Sequence, residues 1–428
     1  MDRKRTTLVG GAALAATAVL LSACSGPADG DDEAAGGSGP VELTINVFGD
    51  SFPEELYAQY EEENPGVTIT ENRADYGTHH NNLQARLAAG SGTADVELIE
   101  VGQIAGFIGQ ADRFVNFLDE GVDTSQWNDA KIQQASTPDG ESLIGLGTDI
   151  GGLAICYRTD LFEQAGLPTD RDEVSALWPT WDDYVATGSR FLESAPDGVS
   201  WMDGAGHLFT GMLGQEAETF YDTDGEIVVA DNPVVREAWD LSVEAIEAGQ
   251  SAALAEFSPE WNTGFQRGQF ATITCPSWMT AYIRNNAPET EGLWDIATVP
   301  GGSGNWGGSF LTVPAAGENV EEAVKLARWL AAPEQAVAVF ETFGNFPSPV
   351  DTWDSPAVAE KTDPFFNDAP VGTIFPASFE SLPPQVLGPQ SGVIGVTLNN
   401  ALNTVEKGED PDRAWQTALD DIAAATAG

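Results

Sequence analysis

Basic residues are scarce in this chain of 428 residues: 18 lysines and arginines stand against 67 aspartates and glutamates, a formal charge of −49. So negative a surface repels phosphate backbones and anionic headgroups, which excludes a nucleic-acid partner and electrostatic attachment to a membrane. Histidine occurs three times, at 79, 80 and 207. His79 and His80, with Asp75 nearby, are the only approach to a metal set, and a solvated helix start accounts for the pair without a metal. Cysteine also occurs three times, at 24, 156 and 275, too few for a disulfide scaffold. Beyond Leu8–Leu20 no stretch approaches the ~18 consecutive apolar residues of a spanning helix. Enzyme signatures are missing as well. There is no G-x-S-x-G elbow, no H-E-x-x-H helix and no Cys-His nucleophile pattern. A glycosidase needs only two suitably spaced carboxylates, and in so acidic a chain a pair carries no information.

What is present begins at the N-terminus. Arg3, Lys4 and Arg5 precede the short apolar run, which ends in Leu21-Ser22-Ala23-Cys24, the anatomy of a secretion signal over residues 1–23. Small residues followed at once by cysteine resemble a bacterial lipobox, which makes Cys24 the expected lipid anchor. After Cys24, residues 25–40 hold only Gly, Ser, Pro, Ala and acid with no large apolar side chain, so 24–40 is expected to form a flexible tether.

From Val41 the pattern changes to that of a folded body. VELTINVFG reads as a buried strand, a helix follows around Leu56 and Tyr60, Pro65-Gly66 stops it, and VTITE is a second strand. The alternation continues through HHNNLQARLAAG, ADVELIEV and IAGFIGQADRF, which predicts a mostly parallel sheet covered on both faces. A second series opens at GGLAICYRTDLFEQAGL, where Thr180 and Asp183 are placed to cap the next helix. Trp239, Trp329 and Trp415 sit at helical spacing with other apolar residues and read as core.

These segments, in this order, resemble the extracellular solute-binding proteins of carbohydrate importers. The chain is similar to the maltose-binding proteins and especially to actinobacterial cellobiose-binding lipoproteins. Its carriers are the lipobox LSAC, VELTINVFGD with ENPGVTIT, GGLAICYRTDLFEQAGL, FQRGQFATITCPSWM and GNWGGSFLTVP. It implies a two-lobe α/β fold of the periplasmic-binding-protein type, with discontinuous lobes and a ligand cleft between them. The expected lobes are 41–149 with 306–346, and 150–305 with 347–428, joined by crossings near Asp149, Pro300–Trp306 and Phe346–Val350. It implies no enzyme activity, no cofactor and no metal. The expected partners are an oligosaccharide and the permease subunits of an ABC importer, with a monomeric receptor held at the outer membrane face by its lipid alone.

Residue chemistry near the expected cleft agrees with a sugar. GSGNWG at 302–307 formally matches a dinucleotide fingerprint, yet a strand follows it where a helix is required. A pyranose offers a weakly apolar C–H face and a rim of hydroxyls, so it calls for a flat aromatic ring with amides or carboxylates beside it. Trp306 with Asn305 and Trp278 with Ser277 supply these elements, and core packing is the competing account of each tryptophan. Trp261 and Trp353 are further candidates. Phe48, Asp50, Tyr76, Gln103 and Asp149 fall at or past strand ends, where a cleft lies in such a fold. The first five belong to the first-lobe side, Trp261 and Trp278 to the second, and Asn305 and Trp306 to the seam. Cys156 and Cys275, both on expected strands, are either a disulfide or two buried thiols. A β-linked gluco-oligosaccharide such as cellobiose is the expected ligand, with maltose- or xylo-type sugars as alternatives and an exported glycosidase as the enzyme reading.

Overall fold

The computed structural model describes residues 39–380 and 382–427. The signal segment, Cys24 and almost all of the tether lie outside them. Eleven strands are formed among the described residues: β1 Val41–Phe48, β2 Val67–Ala74, β3 Val96–Glu100, β4 Leu146–Gly147, β5 Asp149–Ile150, β6 Leu153–Arg158, β7 Ser200–Met202, β8 Phe270–Pro276, β9 Trp294–Thr298, β10 Ser309–Thr312 and β11 Phe346–Pro347.

The first lobe is built on a five-stranded sheet ordered β2-β1-β3-β10-β4. Leu43, Ile45 and Val47 alternate along β1 and are fully buried, as a period of two requires of a strand packed on one covered face. The helix Glu54–Glu63 stops at Asn64, and Gly66 takes φ +102° to turn the chain into β2. The second lobe is built on a four-stranded sheet ordered β7-β8-β6-β9. All six residues of β6 are buried, because this central strand is covered twice. Leu153, Ile155 and Tyr157 join one apolar cluster with Trp178, Trp201 and Trp239, while Ala154 and Cys156 join another with Trp261, Phe265 and Trp294. Cys156 and Cys275 lie on that second face of β6 and β8 and are joined as a disulfide.

The expectation of mostly parallel sheets holds only in part. β1 pairs in parallel with β2 and β3, but β10 runs antiparallel to β3 and β4. In the second sheet β6 is antiparallel to both β8 and β9, and only β7 and β8 are parallel. Lobe crossing is the reason. A strand that enters a sheet from the other lobe starts at the seam, whereas strands built by local β-α-β steps end there.

At the seam β5 pairs with β11, and Asn305 bridges Gly152. A Cβ on Gly151 would stand 1.8 Å from the Trp306 carbonyl oxygen, and one on Gly152 would stand 2.3 Å from that of Phe375. Glycine is required at both positions for the crossing segments to approach. Among the described residues no helix is long and apolar enough to cross a membrane.

Candidate functional site

The first-lobe wall is assembled where β1 and β3 end. Asp75 caps the helix Tyr76–Ala89 by accepting from the Thr78 amide at 2.9 Å, which fixes Tyr76 at the start of the first turn. The Tyr76 hydroxyl donates to Glu100 Oε2 at 3.0 Å and accepts from Gln103 Nε2 at 3.0 Å. Phe48 meets the Tyr76 ring edge-on at 5.6 Å. Burial pushes the Glu100 carboxyl up to about 7, against the opposing pull of its bonds from the Gly102 amide and Tyr76.

The second wall is aromatic. Trp278 donates its indole N–H to the Trp306 carbonyl at 3.0 Å, and the two rings meet edge-on at 5.6 Å. Phe257, half exposed on the loop before the helix Pro259–Arg267, stacks on Trp278 with centroids 6.3 Å apart. Trp306 lies 4.8 Å from the imidazole of His207. Burial raises the Tyr76 phenol well above its usual range, the charge of Glu100 adds to this, and that of Glu256 beside Phe257 adds a smaller amount.

Of the nine residues singled out in the sequence, five contribute to these walls: Phe48, Tyr76, Gln103, Trp278 and Trp306. The other four are placed differently. Trp261 is fully buried, packs on Phe265 and Tyr282, and donates to Asp203 Oδ2 at 2.7 Å, so its ring presents no face for stacking. The side-chain amide of Asn305 is spent on the seam, accepting from the Gly151 N–H at 2.9 Å and donating to the Gly307 carbonyl at 3.0 Å. Asp149 is buried between the crossings, where its Oδ1 accepts from the Ser309 amide at 2.9 Å and from the Thr148 hydroxyl at 2.8 Å. Asp50 is exposed and joins the lobes, with Arg73 at 2.7 Å on one oxygen and Asn285 of the second lobe at 3.0 Å on the other. Trp353, the further candidate, packs on Phe346 and Phe379 and lines a separate cavity of about 210 Å³ with Gln134 and Gln385.

His79 and His80 are buried, not solvated as expected. His79 Nε2 reaches the Leu98 carbonyl at 2.6 Å, and His80 links the Tyr76 carbonyl to the Glu100 amide at 2.8 and 3.1 Å. Burial pulls the His80 imidazole down to about 3, so it is neutral and accepts from that amide. Among the described residues no three His, Cys, Asp or Glu side chains gather as a metal set. Sequence reasoning missed Glu100, His207, Glu256 and Phe257. The one usable signal was Phe257, a large ring alone in the Ser, Ala and Pro stretch 251–259; His207 is far from the other residues in sequence, and the glutamates are hidden among many acids.

Comparison with known proteins places this geometry in a class. The model of the bacterial extracellular solute-binding protein family matches residues 55–366, and the chain belongs to that family, whose members are transport receptors without enzymatic activity. It resembles a solved extracellular solute-binding protein of family 1 at 43% identity, with a TM-score of 0.80 over 90% of this chain and 100% of the other. It is also similar to the arabinooligosaccharide-binding protein of Bacillus subtilis (strain 168), 24% identical with 82% of each chain covered. A binding protein from B. animalis subsp. lactis, solved with β-1,6-galactobiose, shares the fold at a TM-score of 0.76 and 20% identity, covering 90% of this chain and 98% of its own.

Proposed function

We propose that the protein is the oligosaccharide receptor of an ABC importer, which closes its two lobes on the sugar and delivers it to the membrane permease. The observation that carries this reading is the cluster of Phe257, Trp278 and Trp306 beside the crossing segment, with Phe48 and Tyr76 gathered at the strand ends of the first lobe. Rings stack on the C–H faces of a pyranose, while Glu100 and Gln103 lie close enough to answer its hydroxyls. Contacts from both lobes are what allow a ligand to favour the closed arrangement, since equal affinity for open and closed states shifts nothing. Anchoring through a diacylglyceryl group on Cys24 keeps the receptor beside its permease. A cello-oligosaccharide is our assignment of the sugar, with maltose- and xylo-type chains as the runners-up.

Titration calorimetry against cellobiose, cellotriose, maltose, xylobiose, an arabino-oligosaccharide and β-1,6-galactobiose tests the reading. One or more should bind and be recovered intact. Trp306→Ala and Trp278→Ala should weaken binding by about tenfold or more while the melting transition persists, because a stacked ring contributes about 0.5–1.5 kcal/mol beyond the apolar area it covers. Folded variants that bind every sugar as the wild type does would place the platform elsewhere.

A further inference from the structure

The loop between β7's neighbour Ser251 and the helix Pro259–Arg267 is tied down along its length. The Ala252 amide donates to the Met202 carbonyl at 2.9 Å, the Leu254 amide to the Asp203 carbonyl at 3.1 Å, and the Ser251 hydroxyl to Glu406 at 2.6 Å. Ala253 and Phe257 hold φ of +53° and +59°, a left-handed conformation that non-glycine residues avoid unless their surroundings impose it. So constrained a loop fixes where its side chains point. Phe257 lies on Trp278, and Glu256, the residue before it, turns Oε1 to within 3.4 Å of His207 Nε2.

His207 has no freedom of its own. Its ring is buried between Trp306 at 4.8 Å and Trp261 at 5.6 Å. Its Nδ1 bonds Asp203 Oδ2, which also accepts from Trp261. Nε2 is buried without a hydrogen-bond partner and faces the Glu256 carboxylate. Burial works against a charge on the ring, but the carboxylates of Asp203 and Glu256 outweigh it and push the imidazole up to about 10. An imidazolium held in place by Asp203 therefore draws one oxygen of Glu256 toward itself. The Glu256 side chain stays about 36% exposed, so its other oxygen is available beside the aromatic wall.

We propose that Glu256 is a sugar-contacting carboxylate, accepting hydroxyl hydrogen bonds from the pyranose stacked on Trp306 and Trp278, and that His207, held by Asp203, is the positioning residue that aims it. This assignment rests on the receptor reading above. It adds a ligand class: a neutral saccharide whose ring at this subsite carries free adjacent hydroxyls. A carboxylate is acceptor-only, so it takes two hydroxyls well and repels the carboxylate of a uronic acid at the same position.

The test uses calorimetry with cellotriose, arabinotriose and β-1,6-galactobiose, taking the tightest binder forward. Glu256→Gln should stay folded, with a single melting transition, and weaken that sugar about tenfold or more, since it replaces a charge-assisted acceptor. His207→Leu should weaken it similarly, but add nothing in the Glu256→Gln background, as expected of two residues acting through one contact. His207→Gln, whose amide still donates, should recover part of the loss. Monodeoxy versions of the sugar should show one position where the wild type discriminates and Glu256→Gln does not. Unchanged affinity in Glu256→Gln, or additive effects in the double variant, overturns the assignment alone. Failure of the wild type to bind any of the sugars overturns the receptor reading itself, and this assignment with it.

Discussion

Glu97 and His207 are both buried and titratable, and both make stability fall as pH rises, in different windows and for different reasons. Glu97 Oε1 accepts from Asn46 at 2.9 Å and from the Ala94 amide at 2.8 Å, while Oε2 has no partner. Burial pushes its carboxyl up to about 7 from 4.5, so between those values the unfolded chain has lost a proton that the folded chain keeps. Stability contributed at Glu97 is therefore highest below pH 4.5 and falls as pH rises through 7. Glu97→Gln should remove that slope, gaining on the wild type by on the order of 3 kcal/mol between pH 4.5 and 8. Melting temperatures across this range check it, and parallel curves for the two proteins would show that Glu97 does not titrate there. His207 shifts stability in the same direction, at higher pH and through a stabilised charge instead of a penalised one. Its imidazolium stabilises the fold below about 6.5, and that contribution is lost as pH rises toward 10, so the penalty of His207→Gln should shrink over the same interval. Neither group was legible in the sequence. VELIE reads as an ordinary strand, and only the covering of both faces of β3 turns its glutamate into a buried acid.

The local rules were the readable ones. Thr180 accepts from the Asp183 amide at 3.2 Å and donates to its carboxylate at 2.7 Å, as the spacing of a capping box predicts. Trp239 and Trp415 are core and in contact at 5.1 Å, and Trp329 is half-buried against Tyr60. Strand direction in the second sheet was not readable, because it depends on which lobe the chain has just left. The roles of Asn305 and Trp261 were not readable either, since an amide or indole N–H satisfied by a distant segment looks the same in sequence as one awaiting a sugar. The disulfide was left open by sequence and links elements 119 residues apart. It bonds two strands of one sheet, and a closed loop of that length confines the unfolded chain enough for a cost of about 2–5 kcal/mol on removal. Cys156→Ala with Cys275→Ala should lower the melting temperature by several degrees, and alkylation of unfolded, unreduced wild type should label neither thiol. Gly151→Ala, which drives a Cβ into the Trp306 carbonyl, should be more damaging still, as backbone at the seam has no room to give.

At the scale of the whole molecule, the lobes also meet away from the crossings, where the helix Ser391–Glu406 packs against the helix Val101–Ile108 and an exposed polar contact forms at Asp50. Asp50 receives Asn285 of the second lobe on Oδ2 at 3.0 Å. Gln103 packs against Gly392, where a Cβ would come within 2.4 Å of its side-chain nitrogen. A single exposed hydrogen bond contributes about 0.5–1.5 kcal/mol, which is enough to bias a two-state equilibrium and too little to lock it. Such weakness suits a receptor that must open to load. Asp50→Ala should therefore lower sugar affinity by about two- to tenfold by disfavouring closure. Asn285→Ala should do the same by the same amount, and the double variant should be no weaker than either. Small-angle scattering separates this from direct contact with sugar. Both variants should be more expanded than the wild type without ligand and equal to it when saturated. If Asp50 instead touches the sugar, as the sequence suggested, Asp50→Ala will lose affinity alone, Asn285→Ala will not follow, and the ligand-free dimensions will stay unchanged.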